Sequence, residues 1–344
     1  MTARKVRVAV VGVGNFGRLH ALALSELPKV ELIGVCDTDP RRREEVGSVL
    51  GVRKYDALET LLRETELDAV VLATPESYHV SQTIAALERG VDVLVEKPLA
   101  LTAKDACLIQ RTAEAQGRLV MVGTILRFSI PHRNLRSIVS AGHIGPILHL
   151  RSVRYISESW FRGSTVDAIF RACIHDIDQV LWLTSQRVVK VYAAGHVDNE
   201  EKFHRSVVGL LILERGTTAV VEAHFALPQT FPATTIPPER PGARRHLLEV
   251  IGTSGIAKLD DPAGVEVWSS NSAYRPDLSV VAQDGGRILG ALRAELEHFT
   301  DCVASRHPSS IAPLADSVHG VAVAEAMARS MHSGKIIQIA EVLE

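Results

Sequence analysis

The first residues with an evident chemical use are three glycines near the N-terminus. Gly12, Gly14 and Gly17 form a G-x-G-x-x-G motif between an apolar run and a helical pattern. In that context the first glycine permits a tight turn, the second lets a pyrophosphate approach the backbone, and the third allows close helix–strand packing. Amides at the helix N-terminus then face the phosphates. The motif predicts a dinucleotide-binding turn that also includes Asn15 and Phe16, although glycines of an ordinary turn are the alternative.

A carboxylate that can select the dinucleotide follows this motif. Asp37 closes the second predicted strand, twenty residues after Gly17. A carboxylate at this point can bond ribose hydroxyls and repels a 2′-phosphate, which favours NAD over NADP. Three arginines, Arg41–Arg43, come next; one of them can pair with a 2′-phosphate, or all can be a solvated helical turn. We expect NAD, with NADP as the alternative.

Two more polar segments, A-T-P-E-S-Y-H at 73–79 and E-K-P at 96–98, each follow a predicted strand. Ligands bind at the carboxyl ends of strands in open α/β sheets, so both segments are candidates for cofactor contacts. Lys97 can present an ammonium beside the nicotinamide, or it can be a surface lysine in a turn. The residues expected at the cofactor from these segments are Thr74, Pro75, His79, Glu96 and Lys97.

These motifs resemble those of the Gfo/Idh/MocA family of NAD(P)-dependent sugar and cyclitol dehydrogenases. G-T-I-L-R-F at 123–128 stands where the family has a G-x-N-x-R-F-like segment, and H-D-I-D at 175–178 matches its H-x-x-D helix. I-G-T-S-G at 251–255 matches a strand–turn of its second domain, and E-H-F at 297–299, with Ser330 and Gly334, resembles its C-terminal helices. The resemblance spans essentially the whole chain.

The resemblance implies a catalytic pair, Lys97 and His175. The chemistry agrees, because oxidation of a secondary alcohol requires a base for the hydroxyl proton, and a neutral imidazole suits that role near pH 7. An ammonium can stabilise alkoxide character on the oxygen. Asp178 lies three residues after His175, on the same helical face, where it can orient the ring. A hydrogen-bonded core histidine is the alternative for His175.

Arg171 is the main departure from the family pattern. Many members, inositol dehydrogenases among them, carry Asp four residues before the histidine, and the family's common Asn is Ile125 here. Arg171 can depress the pKa of His175, clamp an anionic substrate group, or point away and pair with a carboxylate. Arg127 and Trp160 are further candidates for substrate contacts; Trp160 can stack on a sugar ring or plug the domain.

The elements that must position these residues are predicted to form an α/β structure of two domains. Short β-branched runs alternate with helical patterns up to residue 123, which predicts a Rossmann-type, doubly wound parallel sheet. Residues 124–344 predict an α+β domain for substrate binding and oligomerisation, with a large, open, mostly antiparallel sheet. That sheet includes a hairpin at Glu214–Gly216 and continues through Val265–Trp268. Five prolines between Ala226 and Arg245 predict a long loop.

Composition excludes several classes of protein. The chain has 344 residues, a net charge of −2 and 46% hydrophobic residues, so it is globular and has no charge suited to nucleic acid or anionic membranes. Its apolar runs are too short to cross a bilayer, and the N-terminus reads directly into a strand. Four dispersed cysteines predict neither disulfides nor a zinc site, and the histidines show no metal motif. We expect a cytoplasmic protein without a metal.

Two functions fit the sequence. The first is an NAD(P)-dependent oxidoreductase that acts on a polyol, sugar, sugar acid or cyclitol. The second is a non-catalytic dinucleotide-binding regulator of the same fold, although retention of Lys97 and His175 argues against it. An exposed face on an open sheet predicts a homo-oligomer, either a dimer or a tetramer.

Overall fold

The computed structural model describes residues 4–158, 166–197, 204–227, 233–234, 244–261, 267–268, 273–275, 280–284 and 287–343. These residues divide into two compact units, one within Met1–Phe128 and Val281–Val318, the other within Ser129–Val280 and His319–Glu344. Each unit is therefore built from two separate stretches of chain. The assignment of residues 1–123 to cofactor binding and 124–344 to substrate binding and oligomerisation stays a prediction.

The first unit contains a six-stranded parallel sheet. Its strands are β1 (Val6–Val11), β2 (Val30–Cys36), β3 (Arg53–Tyr55), β4 (Ala69–Leu72), β5 (Asp92–Val95) and β6 (Val120–Val122). They lie in the order β3-β2-β1-β4-β5-β6. The helices between them are α1 (Asn15–Ser25), α2 (Pro40–Leu50), α3 (Leu58–Glu64), α4 (His79–Glu88) and α5 (Ala103–Gln116). Every residue of β4 is fully buried, as in a sheet covered on both faces. The predicted doubly wound sheet is confirmed.

Local sequence fixes both ends of α2. The Asp39 carboxylate accepts hydrogen bonds from the backbone amides of Arg41 and Arg42, and Pro40 occupies the first turn. The helix ends at Gly51, whose φ of 66° lies in the left-handed region that favours glycine. The Asp39 cap thus starts α2 only three residues after the end of β2.

The remaining elements follow in chain order. The helices are α6 (Ile130–Ser140), α7 (Ile174–Thr184), α8 (Ala291–Ser305), α9 (Leu314–Ser333) and α10 (Ala340–Leu343). The long strands are β7 (Ile147–Ser157), β8 (Val188–Val197), β9 (His204–Leu213), β10 (Thr218–Leu227), β12 (Arg244–Gly252) and β13 (Ile256–Asp261). The short strands are β11 (Ala233–Thr234), β14 (Val267–Trp268), β15 (Ala273–Arg275), β16 (Ala282–Asp284), β17 (Arg287–Leu289) and β18 (Ile337–Gln338). Among the described helices, none is long and apolar enough to cross a membrane.

A seven-stranded mixed sheet forms the core of the second unit, in the order β13-β12-β7-β10-β9-β8-β18. β7 and β10 pair in parallel, and the other neighbours pair antiparallel. β9 and β10 form the predicted hairpin, in which Gly216 has a φ of 81°. The prediction of a mostly antiparallel sheet in an α+β domain is confirmed.

One detail of the second unit differs from the sequence prediction. The strand predicted over Val265–Trp268 was expected to extend the large sheet, which is wrong, because β14 pairs with β15 in a separate three-stranded sheet. Alternation along a strand indicates a strand but not its partner, so the sequence could not exclude this pairing. The long loop predicted between 226 and 245 falls mainly outside the described residues.

A π turn precedes the regular helix that carries His175. Residues Ile169–Cys173 form this turn, and the amide of Ile174 donates to the carbonyl of Ile169, five residues back. Regular α-helix begins at Ile174. π turns are rare and occur often at functional sites, so this irregular backbone marks the segment around His175 for attention.

α8 belongs to the first unit, although it follows the second along the chain. It packs against α1, with Lys29 Nζ 2.8 Å from Asp301 Oδ1 and Arg293 Nη1 3.1 Å from Glu26 Oε2. Phe299 in α8 is buried in the apolar core of this unit. The parallel sheet is therefore completed by a helix from the C-terminal part of the sequence.

Candidate active site

The glycine turn between β1 and α1 is closely packed. A Cβ on Gly17 would lie 1.7 Å from the carbonyl oxygen of Gly12, and one on Gly12 would lie 2.7 Å from the carbonyl oxygen of Ala73. Gly12 also has a φ of 81°. Gly14 is different, because the nearest atom to its Cβ position is Arg42 Nη1, at 3.7 Å. The first and third glycines are thus required by the protein itself, whereas the second leaves space beside the start of α1.

That space suits a pyrophosphate. α1 begins at Asn15, and the first amides of a helix have no acceptor within the helix. Such amides and the positive end of the helix dipole bind phosphate groups. Phe16 packs edge-on against His20, with ring centroids 5.1 Å apart. Gly12, Gly14 and Gly17 therefore fit the predicted dinucleotide-binding turn, and Phe16 packs behind it against His20. The cofactor contacts of Asn15 and Phe16 stay predictions.

Asp37 lies against this turn. Its Oδ2 accepts from the amide of Val13 at 2.8 Å, and its Oδ1 accepts from the amide of Asp39 at 2.8 Å. Each carboxylate oxygen keeps a lone pair for a further donor, such as a ribose hydroxyl. Burial raises the pKa of the neighbouring Cys36 to about 12, with the Asp37 charge as a second cause, so this thiol stays protonated and is no nucleophile. The site therefore offers a carboxylate beside the glycine turn and no reactive thiolate from Cys36.

The arginines after Asp37 have separate roles in the structure. Arg43 Nη1 donates to the carbonyl oxygens of Asp37 and Thr38, at 3.2 and 3.1 Å, and so closes the loop after β2. Arg42 approaches Gly14 and also lies 3.6 Å from Asp39. Arg42 is therefore the arginine of this run that approaches the glycine turn, and a contact of any of the three with a 2′-phosphate stays a prediction.

His79 joins the loops that follow β4 and β5. It is buried, with Nδ1 2.7 Å from the carbonyl oxygen of Pro98 and Nε2 3.0 Å from that of Thr74. Thr74 also donates its hydroxyl to Gln82 at 2.6 Å. This geometry makes His79 a connection between the two loops expected at the cofactor. Cofactor contacts by His79, Thr74 and Pro75 stay predictions.

Glu96 and Lys97 directly follow β5. Glu96 Oε1 lies 2.8 Å from Nε2 of His20, a fully buried residue of α1, and Glu96 Oε2 accepts from the amide of Lys97 at 3.3 Å. A Cβ on Gly123 would lie 3.0 Å from Glu96 Oε1, so glycine there leaves room for the carboxylate. His20 is not among the residues that the sequence predicted at this site; its place three residues after Gly17 was the available signal. The pair links the glycine-turn helix to the segment that carries Lys97.

Arg127 is buried within the first unit. Its Nη1 donates to the carbonyl oxygen of Ile311 at 2.8 Å and to Asp316 Oδ2 at 3.1 Å. These bonds connect the segment after β6 to the start of α9. The geometry indicates a structural role for Arg127, and its contact with substrate stays a prediction.

The second unit carries His175, Asp178 and Arg171. His175 is half-buried at the start of α7, and Asp178 is buried one turn later. Regular α-helical geometry between them is consistent with a shared face. Arg171 is half-buried within the π turn, where the i,i+4 spacing from an α-helix does not apply unchanged. Trp160 lies outside the described residues. The catalytic roles of Lys97, His175 and Asp178 stay predictions.

Comparison with known proteins gives two matching family models. Residues 6–124 match the GFO_IDH_MocA model, described as an oxidoreductase family with an NAD-binding Rossmann fold, and residues 132–258 match the GFO/IDH/MocA C-terminal domain. The two matched ranges together cover more than half of the chain.

Full-length relatives and a solved structure agree with these matches. Inositol 2-dehydrogenase 3 of Saccharopolyspora erythraea is 27% identical over 347 residues, covering 97% of this chain and 96% of the relative. UDP-N-acetylglucosamine 3-dehydrogenase of Acidithiobacillus ferrooxidans is 27% identical over 305 residues, covering 88% and 90%. The crystal structure of scyllo-inositol dehydrogenase from Lactobacillus casei with bound NAD(H) and scyllo-inositol has a TM-score of 0.83 at 21% identity, covering 98% and 100%. This last likeness establishes the fold.

Proposed function

Because this chain belongs to the Gfo/Idh/MocA family of oxidoreductases, we propose that it is an NAD-dependent dehydrogenase of a secondary alcohol in a cyclitol, sugar or sugar acid. The observation that carries the proposal is similarity along almost the entire length to an inositol 2-dehydrogenase. The glycine turn and Asp37 support it, because together they offer the space, the free amides and the carboxylate that a dinucleotide requires.

In the proposed reaction, His175, Lys97 and Asp178 have separate roles at the substrate hydroxyl. NAD, when bound, supplies the acceptor for the hydride that leaves the carbinol carbon. His175 takes the hydroxyl proton as the C–O bond becomes C=O. The ketone then leaves, and His175 later releases the proton to water. The Lys97 ammonium stabilises negative charge on the substrate oxygen. Asp178 orients His175. In the reverse direction the imidazolium returns the proton to the oxygen.

Turnover on a panel of polyols tests this proposal. The wild-type protein should produce NADH with at least one cyclitol, sugar or sugar acid. Replacing Lys97 or His175 with Ala should lower kcat by about 10²–10⁴, the contribution of a positioned acid–base group, with NAD affinity little changed. NAD binding without turnover on any substrate would instead favour the non-catalytic regulator. Near-wild-type turnover of His175→Ala would place the base elsewhere, with Asp178 the next candidate.

Arg171 is proposed to face the substrate and to bind an anionic group such as a sugar-acid carboxylate. A guanidinium matches a carboxylate in shape and charge, and no Asp occupies this position as in many inositol dehydrogenases. Arg171→Ala should then raise KM for a carboxylated substrate more than for a neutral polyol. If Arg171 instead lowers the pKa of His175, Arg171→Ala should move the acidic limb of the pH–rate profile to higher pH. No change in either measurement would make Arg171 a structural residue.

We further propose a homo-oligomer formed through the open face of the large sheet. Tyr192, Val208 and Leu210 are 43%, 40% and 39% exposed there, on adjacent strands and opposite the buried side chains of the same strands. A contiguous apolar face of this kind is typical of an interface. Leu210→Lys should dissociate the assembly in light scattering, whereas Val49→Lys, at a 73% exposed position in α2, should not. A wild-type monomer would refute this.

A cytoplasmic location is proposed from the cysteines. Cys36, Cys107, Cys173 and Cys302 are all free, and unpaired thiols are usual where glutathione keeps them reduced. Fractionation of cells that express the tagged protein would test this location. Recovery of the protein outside the cytoplasm would contradict it.

A further inference from the structure

A buried carboxylate one residue after His175 has no part in the reaction described above. Asp176 has no exposed surface. Its Oδ1 accepts from the Ser152 hydroxyl at 2.6 Å and lies 3.1 Å from His246 Nε2, and its Oδ2 accepts from Arg154 Nε at 2.7 Å. Three side chains of the large sheet therefore converge on one carboxylate at the start of α7.

The sheet brings these three partners together by its register. Ser152 and Arg154 are two residues apart on β7, so their side chains point to the same face. His246 on β12 is the register partner of Arg154. The convergence thus depends on two neighbouring strands of the large sheet, β7 and β12, which support the contact with α7.

The bonds to Asp176 have a defined protonation pattern. Burial, the largest single cause, raises the pKa of Asp176, but Arg154 and His246 together outweigh burial and the pKa falls to about 2. Burial and then Arg154 lower the pKa of His246, so its imidazole is neutral at pH 7. The Ser152 hydroxyl donates to Asp176, so its oxygen accepts from His246 Nε2–H at 2.8 Å. Asp176 is therefore a permanent anion held by fixed donors.

The position of this anion in the helix lets it determine the direction of the His175 side chain. The backbone changes from the π turn to regular α-helix at Ile174, and that transition sets the rotation of every following side chain about the helix axis. Successive residues of an α-helix are about 100° apart around the axis. Fixing the direction of Asp176 therefore fixes the direction of His175.

Building on the proposed function, we propose that Asp176 is a positioning residue for His175. Its bonds to Ser152 and Arg154 hold the first turn of α7 in the rotation that directs the His175 imidazole at the substrate hydroxyl. A carboxylate with only a structural role would stabilise the fold without affecting the activity of the folded molecules.

Asp176→Asn separates these two roles, since it keeps the shape and removes the charge. We expect kcat to fall by about 10²-fold, as misplacement of a catalytic group by about 1 Å can cost, with the Kd of NAD unchanged. The acidic limb of the kcat/KM profile should also flatten, because a displaced base no longer limits the rate by its protonation. A smaller folded fraction would instead scale the whole profile by one factor. Circular dichroism measures the folded fraction.

Ser330→Ala is the matched control. Ser330 is fully buried in the same unit, accepts from the amide of Ala193 at 2.9 Å and donates to the carbonyl of Lys335 at 2.6 Å. Its loss should lower Tm but leave kcat and the pH profile of the folded protein unchanged. If Asp176→Asn yields no folded protein, Ser152→Ala removes one donor to the carboxylate and should lower kcat by roughly 3–10-fold, about one modest hydrogen bond.

The outcomes separate the two proposals. If the wild-type enzyme is active and the Asp176→Asn protein, or Ser152→Ala in its place, keeps full kcat and an acidic limb as steep as that of the wild type, the positioning role is overturned while the dehydrogenase function stands. If the wild-type protein oxidises no polyol, the proposed function fails, and the positioning role fails with it.

Discussion

Gly14→Ala should weaken NAD binding without harming the fold. The nearest atom to the added methyl is Arg42 Nη1, at 3.7 Å, an ordinary van der Waals contact. The backbone at Gly14, with φ −65° and ψ −162°, is extended and open to alanine. Alanine is a poorer N-cap than glycine, but it also reduces the entropy of the unfolded chain, and these effects of opposite sign are each about 0.5–1 kcal/mol. The net change in the free energy of unfolding should therefore be close to zero.

The loss of affinity follows from the position of the methyl. It occupies the space beside the first amides of α1, so the pyrophosphate must move outward. A charge-assisted hydrogen bond contributes about 1.5–3 kcal/mol, and 1.4 kcal/mol corresponds to tenfold in affinity. Losing one such bond should raise the Kd of NAD by about 10–150-fold.

Calorimetric titration with NAD and thermal unfolding of the same preparations provide the two measurements. Gly17→Ala is the contrasting variant, because its methyl would lie 1.7 Å from the carbonyl oxygen of Gly12 and must displace α1 from β1. That variant should lose both stability and NAD binding. An unchanged Kd for Gly14→Ala would show that the pyrophosphate does not pass over this glycine. A fall in Tm as large as that of Gly17→Ala would refute the open space at Gly14.

Three further predictions concern selectivity and stability. Asp37→Ser should shift kcat/KM toward NADP, and a wild-type preference for NADP would refute selection by this carboxylate. Arg127→Gln removes the cation that lies 3.1 Å from the partly buried Asp316 and should cost up to about 3 kcal/mol in urea unfolding; no loss would show that the pair is dispensable. Burial lowers the folded-state pKa of both His132 and His246 below 6.5, and the charges of neighbouring Arg154 and Arg244 act in the same direction on His132. Unfolded histidines therefore bind protons first, and Tm should fall as pH drops from 7 to 5, whereas a flat profile would contradict burial of neutral rings.

Local sequence was sufficient to predict the glycine turn and Asp37. Gly12, Gly14 and Gly17 are read from one turn, and Asp37 follows from its distance along the next strand. Each depends on contacts between segments that are close in sequence, as in the bond from Val13 to Asp37. The parallel sheet was predictable for the same reason, apart from β3, whose residues Arg53, Lys54 and Tyr55 form no apolar run.

Long-range contacts explain what the sequence left out. Glu96 lies 76 positions after His20 in the sequence, and His246 lies 94 positions after Ser152. No local pattern in the sequence predicts either pair. Asp176 was visible in the H-D-I-D segment, but its buried partners were not. The π turn adds no residue type of its own to the pattern, so the helical period around it predicts an ordinary α-helix.

The late return of α8 has a consequence for synthesis of the chain. α1 and the parallel sheet are made early, but α8, which packs on α1, follows the whole of β7 to β17. At ~5–20 residues per second, translation from residue 129 to residue 318 takes on the order of 10–40 s. During that time the nascent first unit presents the apolar surface that α8 later covers. That surface stays uncovered until Phe299 and the rest of α8 have been synthesised.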